Sequence, residues 1–182
     1  MKDIPVLFLD RDGTLIVDKN YLSHPAGIEF MPDALAGLRR FRAMGYALVM
    51  ITNQSGIGRG YFSDEQLQAV HRRLQELLAA EGLALDAIYY CPHAPEAQCR
   101  CRKPATGMLE QACAEHGIDR SRALMVGDSQ ADMLLARNFG ITALQICRDG
   151  ATPDPLAQWS GPSLLAAAKW VATQKNHAGE AP

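Results

Sequence analysis

The chain has 182 residues, 48% of them hydrophobic and 21% charged, with a formal net charge of -2. That length suits a single domain, 1–182, with enough material for a buried core. A charge this close to zero supplies no global field to draw nucleic acid or an anionic membrane, and the longest apolar stretches fall well short of the roughly 20 residues a membrane helix needs.

The chain enters its first strand, Val6–Leu9, almost at once. The run from Ile4 to Leu9 is too short for a signal-peptide core, so a cytoplasmic protein is expected. Directly after it stands Asp10-Arg11-Asp12-Gly13-Thr14. Two carboxylates two positions apart, on a chain that turns at Gly13, can converge on one pocket. Mg²⁺ favours such oxygen ligands. One carboxylate can then act as nucleophile while the other handles protons. An Asp-Gly turn closing a strand would read the same way. A calcium loop also begins Asp-x-Asp, but its third oxygen ligand and closing Glu are missing here.

A helix over Asp33–Met44, closed by Gly45, leads to a strand over Ala47–Ile51. Thr52-Asn53-Gln54-Ser55-Gly56 follows, with a hydroxyl, amides and accessible backbone N–H groups suited to holding a phosphate. A flexible polar loop is the bland alternative. Gly56 to Gly60 is no dinucleotide fingerprint, because it follows the wrong strand at the wrong spacing. The next helix runs Ser63–Glu81. Ser63 and Gln66 form a capping-box signature, and Leu67, Val70, Leu74, Leu77 and Leu78 line one face.

After a strand over Leu85–Tyr90, Cys91, His93, Cys99 and Cys101 crowd into an eleven-residue loop, 91–101. Three thiolates and an imidazole make the closed tetrahedral set of structural Zn²⁺; free loop thiols are the alternative. Arg102-Lys103-Pro104 follows directly, so an ordered loop would position two cations: Lys103 for a phosphoryl group, Arg102 as a fork for a second anion. A helix over Met108–His116 and a strand over Ala123–Val126 precede Gly127-Asp128-Ser129-Gln130-Ala131-Asp132. Asp128 stands where a third metal oxygen is wanted, and Asp132 either orients the loop or favours the dipole of a helix over 129–139. A strand over Thr142–Ile146, a helix over 163–173 and a loose tail over about 174–182 complete the chain. Cys113, Cys147, Trp159 and Trp170 read as packing residues, and His24, His71 and His116 have no evident partner.

Strands alternating with helices imply a three-layer, Rossmann-like α/β fold: a parallel sheet with helices on both faces. Ligands of such sheets bind beyond the carboxyl ends of the strands, which is where three of the four motifs fall.

In this order the motifs resemble the haloacid-dehalogenase superfamily of phosphatases, from about Val6 to Gly140. The resemblance implies Asp10 as nucleophile, Asp12 as general acid/base, Thr52 and Lys103 on the phosphoryl oxygens, and Mg²⁺ held by Asp10, Asp12 and Asp128. Tyr90-Cys91-Pro92-His93 with Cys99-x-Cys101-Arg102-Lys103-Pro104 is similar to the heptose 1,7-bisphosphate 7-phosphatase and histidinol-phosphatase subfamily. That likeness implies no large cap domain, Zn²⁺ in the cysteine loop, and substrate contacts from Asp18, Tyr21, Asn53, Gln54, Ser55, Arg102 and Ser129. The expected activity is Mg²⁺-dependent removal of the 7-phosphate from a heptose bisphosphate, a precursor of lipopolysaccharide or related glycans, by a monomer. A histidinol-phosphate phosphatase and a zinc-ordered binding module with a weakened site are the alternatives. The chain departs from its relatives in two places. Five residues, Ala94 to Gln98, separate His93 from Cys99, where relatives can carry more. Ser129 stands where relatives commonly place a cation, a role open to Lys19 or Arg59.

Overall fold

The computed structural model describes residues 1–148 and 150–178. Six parallel strands form one sheet: β1 (Val6–Leu9), β2 (Ala47–Asn53), β3 (Ala87–Cys91), β4 (Ala123–Gly127), β5 (Thr142–Ile146) and β6 (Trp159–Gly161). Their order is β3-β2-β1-β4-β5-β6. β1 therefore lies in the interior, and the strand order reverses beside it, between β1 and β4. That is where a crevice opens in sheets of this kind.

Successive strand residues face opposite sides, and the core divides accordingly. Leu7, Leu9, Leu48 and Met50 pack on one face with α1 (Ala34–Ala43), α3 (Asp64–Ala80) and α6 (Leu164–Ala178). Val6, Phe8, Val49 and Ile51 pack on the other with α4 (Gly107–His116) and α5 (Gln130–Phe139). Both faces of β1 and β2 are thus dry, which explains their unbroken apolar runs. α3 starts as its sequence dictates: the Gln66 N–H donates to Ser63 Oγ at 3.3 Å, and the Ser63 N–H donates to Gln66 Oε1 at 2.8 Å. Trp159 and Trp170 pack against the first core, as expected of packing residues.

Some elements differ from expectation. β3 starts at Ala87, two residues late, because the Gln75 side chain takes both backbone groups of Leu85, at 2.9 and 3.0 Å. β6 and the one-turn helix α2 (Ser55–Gly58) were not foreseen; each is short and contains glycine. α6 continues to Ala178, into the stretch expected to be loose, and the rest of that tail, 179–182, lies outside the described residues. Among the described residues no helix is long and apolar enough to cross a membrane.

Candidate active site

β1, β2 and β4 deliver Asp10, Thr52 and Asp128 from their carboxyl ends, and the loop after β3 brings Lys103 to the same place. One cavity of about 270 Å³ is lined by Asp10, Asp12, Asp18, Thr52, Asn53, Arg102, Lys103, Asp128, Ser129 and Ala131. A neighbouring cavity of about 170 Å³ shares Asp12, Asp18 and Asn53 with it and adds Arg11, Asn20, Tyr21, Gln54 and Ser55. Every expected catalytic and substrate-facing residue therefore borders one of two contiguous hollows. A larger groove of about 500 Å³ between α3 and β3 lies away from the strand ends and holds no carboxylate cluster.

The Lys103 ammonium lies 2.7 Å from Asp10 Oδ1 and 2.7 Å from Asp132 Oδ1, and it donates to the Ile51 carbonyl at 3.2 Å. Burial works against its charge, but the two carboxylates outweigh burial and hold it protonated, above the ordinary lysine range. Carboxylate oxygens of Asp10, Asp128 and Asp132 lie within 4.8 Å of one another. Burial raises the Asp10 carboxyl from its ordinary 3.8 to about 8, against the pull of Lys103 and with a further push from Asp132. Burial and Asp132 likewise raise Asp128 to about 6. Three carboxyls facing one ammonium leave negative charge in excess, and a hard divalent cation fits that deficit. Asp132 is the least available donor, since Lys103 occupies one oxygen and the Ser129 N–H and hydroxyl donate to the other at 3.2 and 2.6 Å. Gly13 makes the convergence possible: its φ is +75°, and a Cβ there would lie 2.2 Å from Asp128 Oδ2.

Several side chains expected to touch substrate hold the site together. Asn53 clamps the Lys103 backbone: its Nδ2 donates to the Lys103 carbonyl at 3.2 Å, and its Oδ1 accepts the Lys103 N–H at 3.0 Å. Gln54 Nε2 donates to Asp12 Oδ2 at 2.9 Å and to Thr52 Oγ1 at 2.8 Å, leaving the threonine O–H free to donate. The Ser129 hydroxyl caps α5 through Asp132. Lys19 pairs with Glu29 and Arg59 with Glu96, and neither lines either cavity. Arg102 differs from these: its buried Nη1 has no hydrogen-bond partner among the described residues. Tyr21 packs edge-on against Tyr61 with ring centres 4.8 Å apart.

Sequence reasoning passed over three residues here. Arg11 is only 1% exposed and reaches Asp12, Gln54 and His71. His71, which has no evident partner in the sequence, faces Arg11 Nη1 at 3.3 Å. Arg148 Nη1 donates to the Gly13 carbonyl at 2.7 Å. Burial, reinforced by the Arg11 charge, lowers His71 from 6.5 to about 3. The unfolded chain therefore takes up this proton first as pH falls. The stability linked to neutral His71 is complete above pH 6.5 and drains away toward pH 3, by at most ~1.4 kcal/mol per pH unit. Asp10 and Asp128, both raised, drift the other way over the same range. The His71 slope is therefore expected as the difference between wild type and His71→Leu in denaturant titrations at pH 7, 5.5 and 4.5, the variant losing stability less steeply as pH falls. An unchanged slope in the variant would contradict the assignment.

At the far end of β3 the four cysteine-loop donors meet. Cys91, Cys99 and Cys101 Sγ are 3.2–3.4 Å apart in pairs, and His93 Nδ1 lies 3.6 Å from Cys91 and 3.2 Å from Cys101. These spacings are far longer than a disulfide of about 2.05 Å. They are somewhat tighter than the edge of about 3.8 Å that tetrahedral Zn–S bonds of about 2.3 Å generate. The donor set and its convergence fit zinc.

Residues 100–169 match the HAD-hydrolase-like family model. The D-glycero-beta-D-manno-heptose-1,7-bisphosphate 7-phosphatase of Pasteurella multocida is 43% identical over 150 residues, covering 79% of this chain and 82% of its own. The same enzyme of Helicobacter pylori is 44% identical over 133 residues, covering 72% and 77%. The chain belongs to the heptose-bisphosphate phosphatase family of HAD-like hydrolases. Solved structures agree. The D,D-heptose 1,7-bisphosphate phosphatase of B. bronchiseptica, complexed with magnesium and phosphate, superposes with a TM-score of 0.85 at 29% identity, covering 96% of this chain and 99% of that one. A putative HAD-like phosphatase from Mesorhizobium loti gives 0.80 at 35% identity, covering 94% and 88%. Members of the family are phosphatases.

Proposed function

We propose that this chain hydrolyses the 7-phosphate of D-glycero-D-manno-heptose 1,7-bisphosphate through a phosphoryl-aspartate on Asp10. The observation that carries the substrate reading is Arg102, whose buried Nη1 lacks a partner among the described residues and which lines the cavity that holds Asp10 and Lys103. Lys103 already attends the phosphate that leaves, so Arg102 is free for the second anion. The names of the relatives support the same substrate.

Asp10, the Asp12 backbone carbonyl and Asp128 would hold Mg²⁺, which when bound neutralises phosphate charge. Asp10 attacks phosphorus in line, and the bond to the sugar oxygen breaks. Asp12 passes its proton to that oxygen as it leaves. A water then attacks the phosphorus of the phosphoryl-aspartate, Asp12 takes the water's proton, and Asp10 is regenerated as inorganic phosphate departs. Lys103 and the Thr52 hydroxyl offset charge on the transferring oxygens. Cys91, His93, Cys99 and Cys101 would hold Zn²⁺, ordering the backbone that runs into Arg102 and Lys103.

The decisive measurement is kcat/KM for the heptose bisphosphate and for histidinol phosphate, in the wild type and in Arg102→Ala. Histidinol phosphate carries one phosphate and leaves Arg102 unmet. The bisphosphate is expected to win by at least ~10²-fold. Loss of one charged hydrogen-bonding partner, about 1.5–3 kcal/mol, is expected to cut that advantage about 10–100-fold. Equal or better wild-type turnover of histidinol phosphate would reject the substrate.

A further inference from the structure

Arg11 is nearly dry, and its donors are distributed in an ordered way. Nε lies 3.2 and 3.1 Å from the two oxygens of Asp12, and Nη2 lies 3.0 Å from Asp12 Oδ2, so the guanidinium grips the carboxylate from the side. Nη2 also donates to Gln54 Oε1 at 2.9 Å, which turns the Gln54 amide so that its Nε2 donates to the same Asp12 oxygen. Nη1 meets His71 Nε2 at 3.3 Å. A guanidinium has only donors, so this contact is a hydrogen bond only when Nε2 carries a lone pair and the ring proton sits on Nδ1. His71 is 4% exposed on α3, one turn from Leu67 and Leu74 in the packed face of that helix. The order is therefore core helix, imidazole, guanidinium, carboxylate.

The contacts on Asp12 are unequal. Oδ2 accepts from Arg11 Nε and Gln54 Nε2 and lies 3.0 Å from Arg11 Nη2, whereas Oδ1 accepts only the longer Nε contact. Oδ2 is the more heavily engaged oxygen, and Oδ1 keeps lone-pair capacity for a proton. We propose that His71 and Arg11 are positioning residues for the phosphatase reaction, acting through Asp12: His71 fixes the Arg11 fork, and the fork presents Asp12 Oδ1 as the oxygen that exchanges protons with the leaving group and with water. This rests on the proton-transfer role proposed for Asp12. It assigns a function to a helix that, among the described residues, contributes none to either cavity wall.

Positioning of an acid is separated from general support of the fold by the leaving group. A sugar alkoxide needs a proton to depart; a 4-nitrophenolate does not. A loosened Asp12 should slow phosphoryl transfer from the sugar and hydrolysis of the phosphoryl-aspartate, but not phosphoryl transfer from the aryl ester. General acid–base catalysis contributes about 10²–10⁴-fold, so a partial loss is expected. His71→Leu should lower kcat for the heptose bisphosphate about 10–30-fold, with KM changed less than ~3-fold. With 4-nitrophenyl phosphate it should keep a rapid burst of one nitrophenolate per chain before slow turnover. His71→Gln, whose amide oxygen can accept from Arg11, should recover kcat to within ~3-fold of wild type. Arg11→Lys keeps the charge but loses the fork, and should give the same divergence between esters; it carries the test if His71→Leu does not fold. Unchanged sugar kcat in His71→Leu and Arg11→Lys would overturn the proposal, as would burst and sugar rates falling together. Asp12→Asn separates the two readings. If it also spares the sugar rate, the proton-transfer role of Asp12 fails; if it alone abolishes that rate, only the positioning role fails.

Discussion

Asp10→Asn is expected to lower kcat by at least ~10⁴-fold, about 5.4 kcal/mol of lost transition-state stabilisation, and yet to stabilise the metal-free protein above pH 6. The two effects share one cause. Asp10 is 8% exposed among carboxyls whose oxygens lie within 4.8 Å, with a single ammonium, Lys103, to balance them. That environment raises its carboxyl from 3.8 to about 8. Below pH 3.8 both folded and unfolded chains hold the proton, so the linked stability is complete. Between 3.8 and 8 the unfolded chain gives the proton up first, and the stability is progressively lost. An asparagine is neutral throughout. The Tm of Asp10→Asn should therefore pull ahead of the metal-free wild type as pH rises from 5 to 8, while added Mg²⁺ should raise the Tm of the wild type more. Retention of more than a few per cent of wild-type kcat would contradict attack by Asp10, and a constant Tm difference would contradict its raised carboxyl. A nucleophile that opposes folding is a familiar exchange of stability for function.

The legible and illegible parts of the site divide by the range of the interaction. Asp10, Thr52 and Asp128 each follow an apolar run of strand length that reads as a buried strand, and alternation with helices then brings them to one end of the sheet. The cysteine loop was legible because donor chemistry and short spacing identify a site without its three-dimensional context. Arg11 was not, since an arginine between two aspartates reads as a solvated charge; its burial depends on His71 and Gln54, 60 and 43 positions away. His71 did carry a local signal. It falls four residues after Leu67 and three before Leu74, on the apolar stripe of α3, and a histidine in a dry stripe needs a partner. The Lys103–Asp132 pair, 29 positions apart, has no local trace. Asn53 and Gln54 were identified as site residues, but a polar side chain beside a phosphate pocket reads the same whether it faces ligand or braces its neighbours.

Loss of zinc is expected to slow the enzyme without altering its chemistry. Cys101→Ser should leave less than one zinc per two chains, lower the Tm by about 10 °C, and cut kcat about 10–100-fold at saturating Mg²⁺. The first strut of the loop is secure: the Gln54 N–H donates to the Cys91 carbonyl at 2.7 Å and the Gly58 N–H to the Pro92 carbonyl at 2.8 Å. The return strut is held by the Gly107 N–H on the Arg100 carbonyl at 2.9 Å and by the Asn53 clamp on Lys103. Between them, one short 3₁₀ turn, Pro95–Ala97, is the only regular structure. Four metal bonds would tie Cys91 and His93 to Cys99 and Cys101, one and two residues before Arg102 and Lys103. Losing such a tie belongs with the large single-site destabilisations, on the order of 4 kcal/mol, and for a domain of this size 1 kcal/mol corresponds to about 2–4 °C. The kcat loss follows from a Lys103 that no longer meets Asp10 at a fixed distance, and displacement by even ~1 Å can cost ~10²-fold. Soft thiolates and hard carboxylates select different ions, so added zinc should restore wild-type protein stripped by a thiol-directed chelator, and excess Mg²⁺ should not. Metal analysis of wild type purified without chelator is the first check, with about one zinc per chain expected. A zinc-free preparation with full activity would remove the loop's role in positioning Lys103.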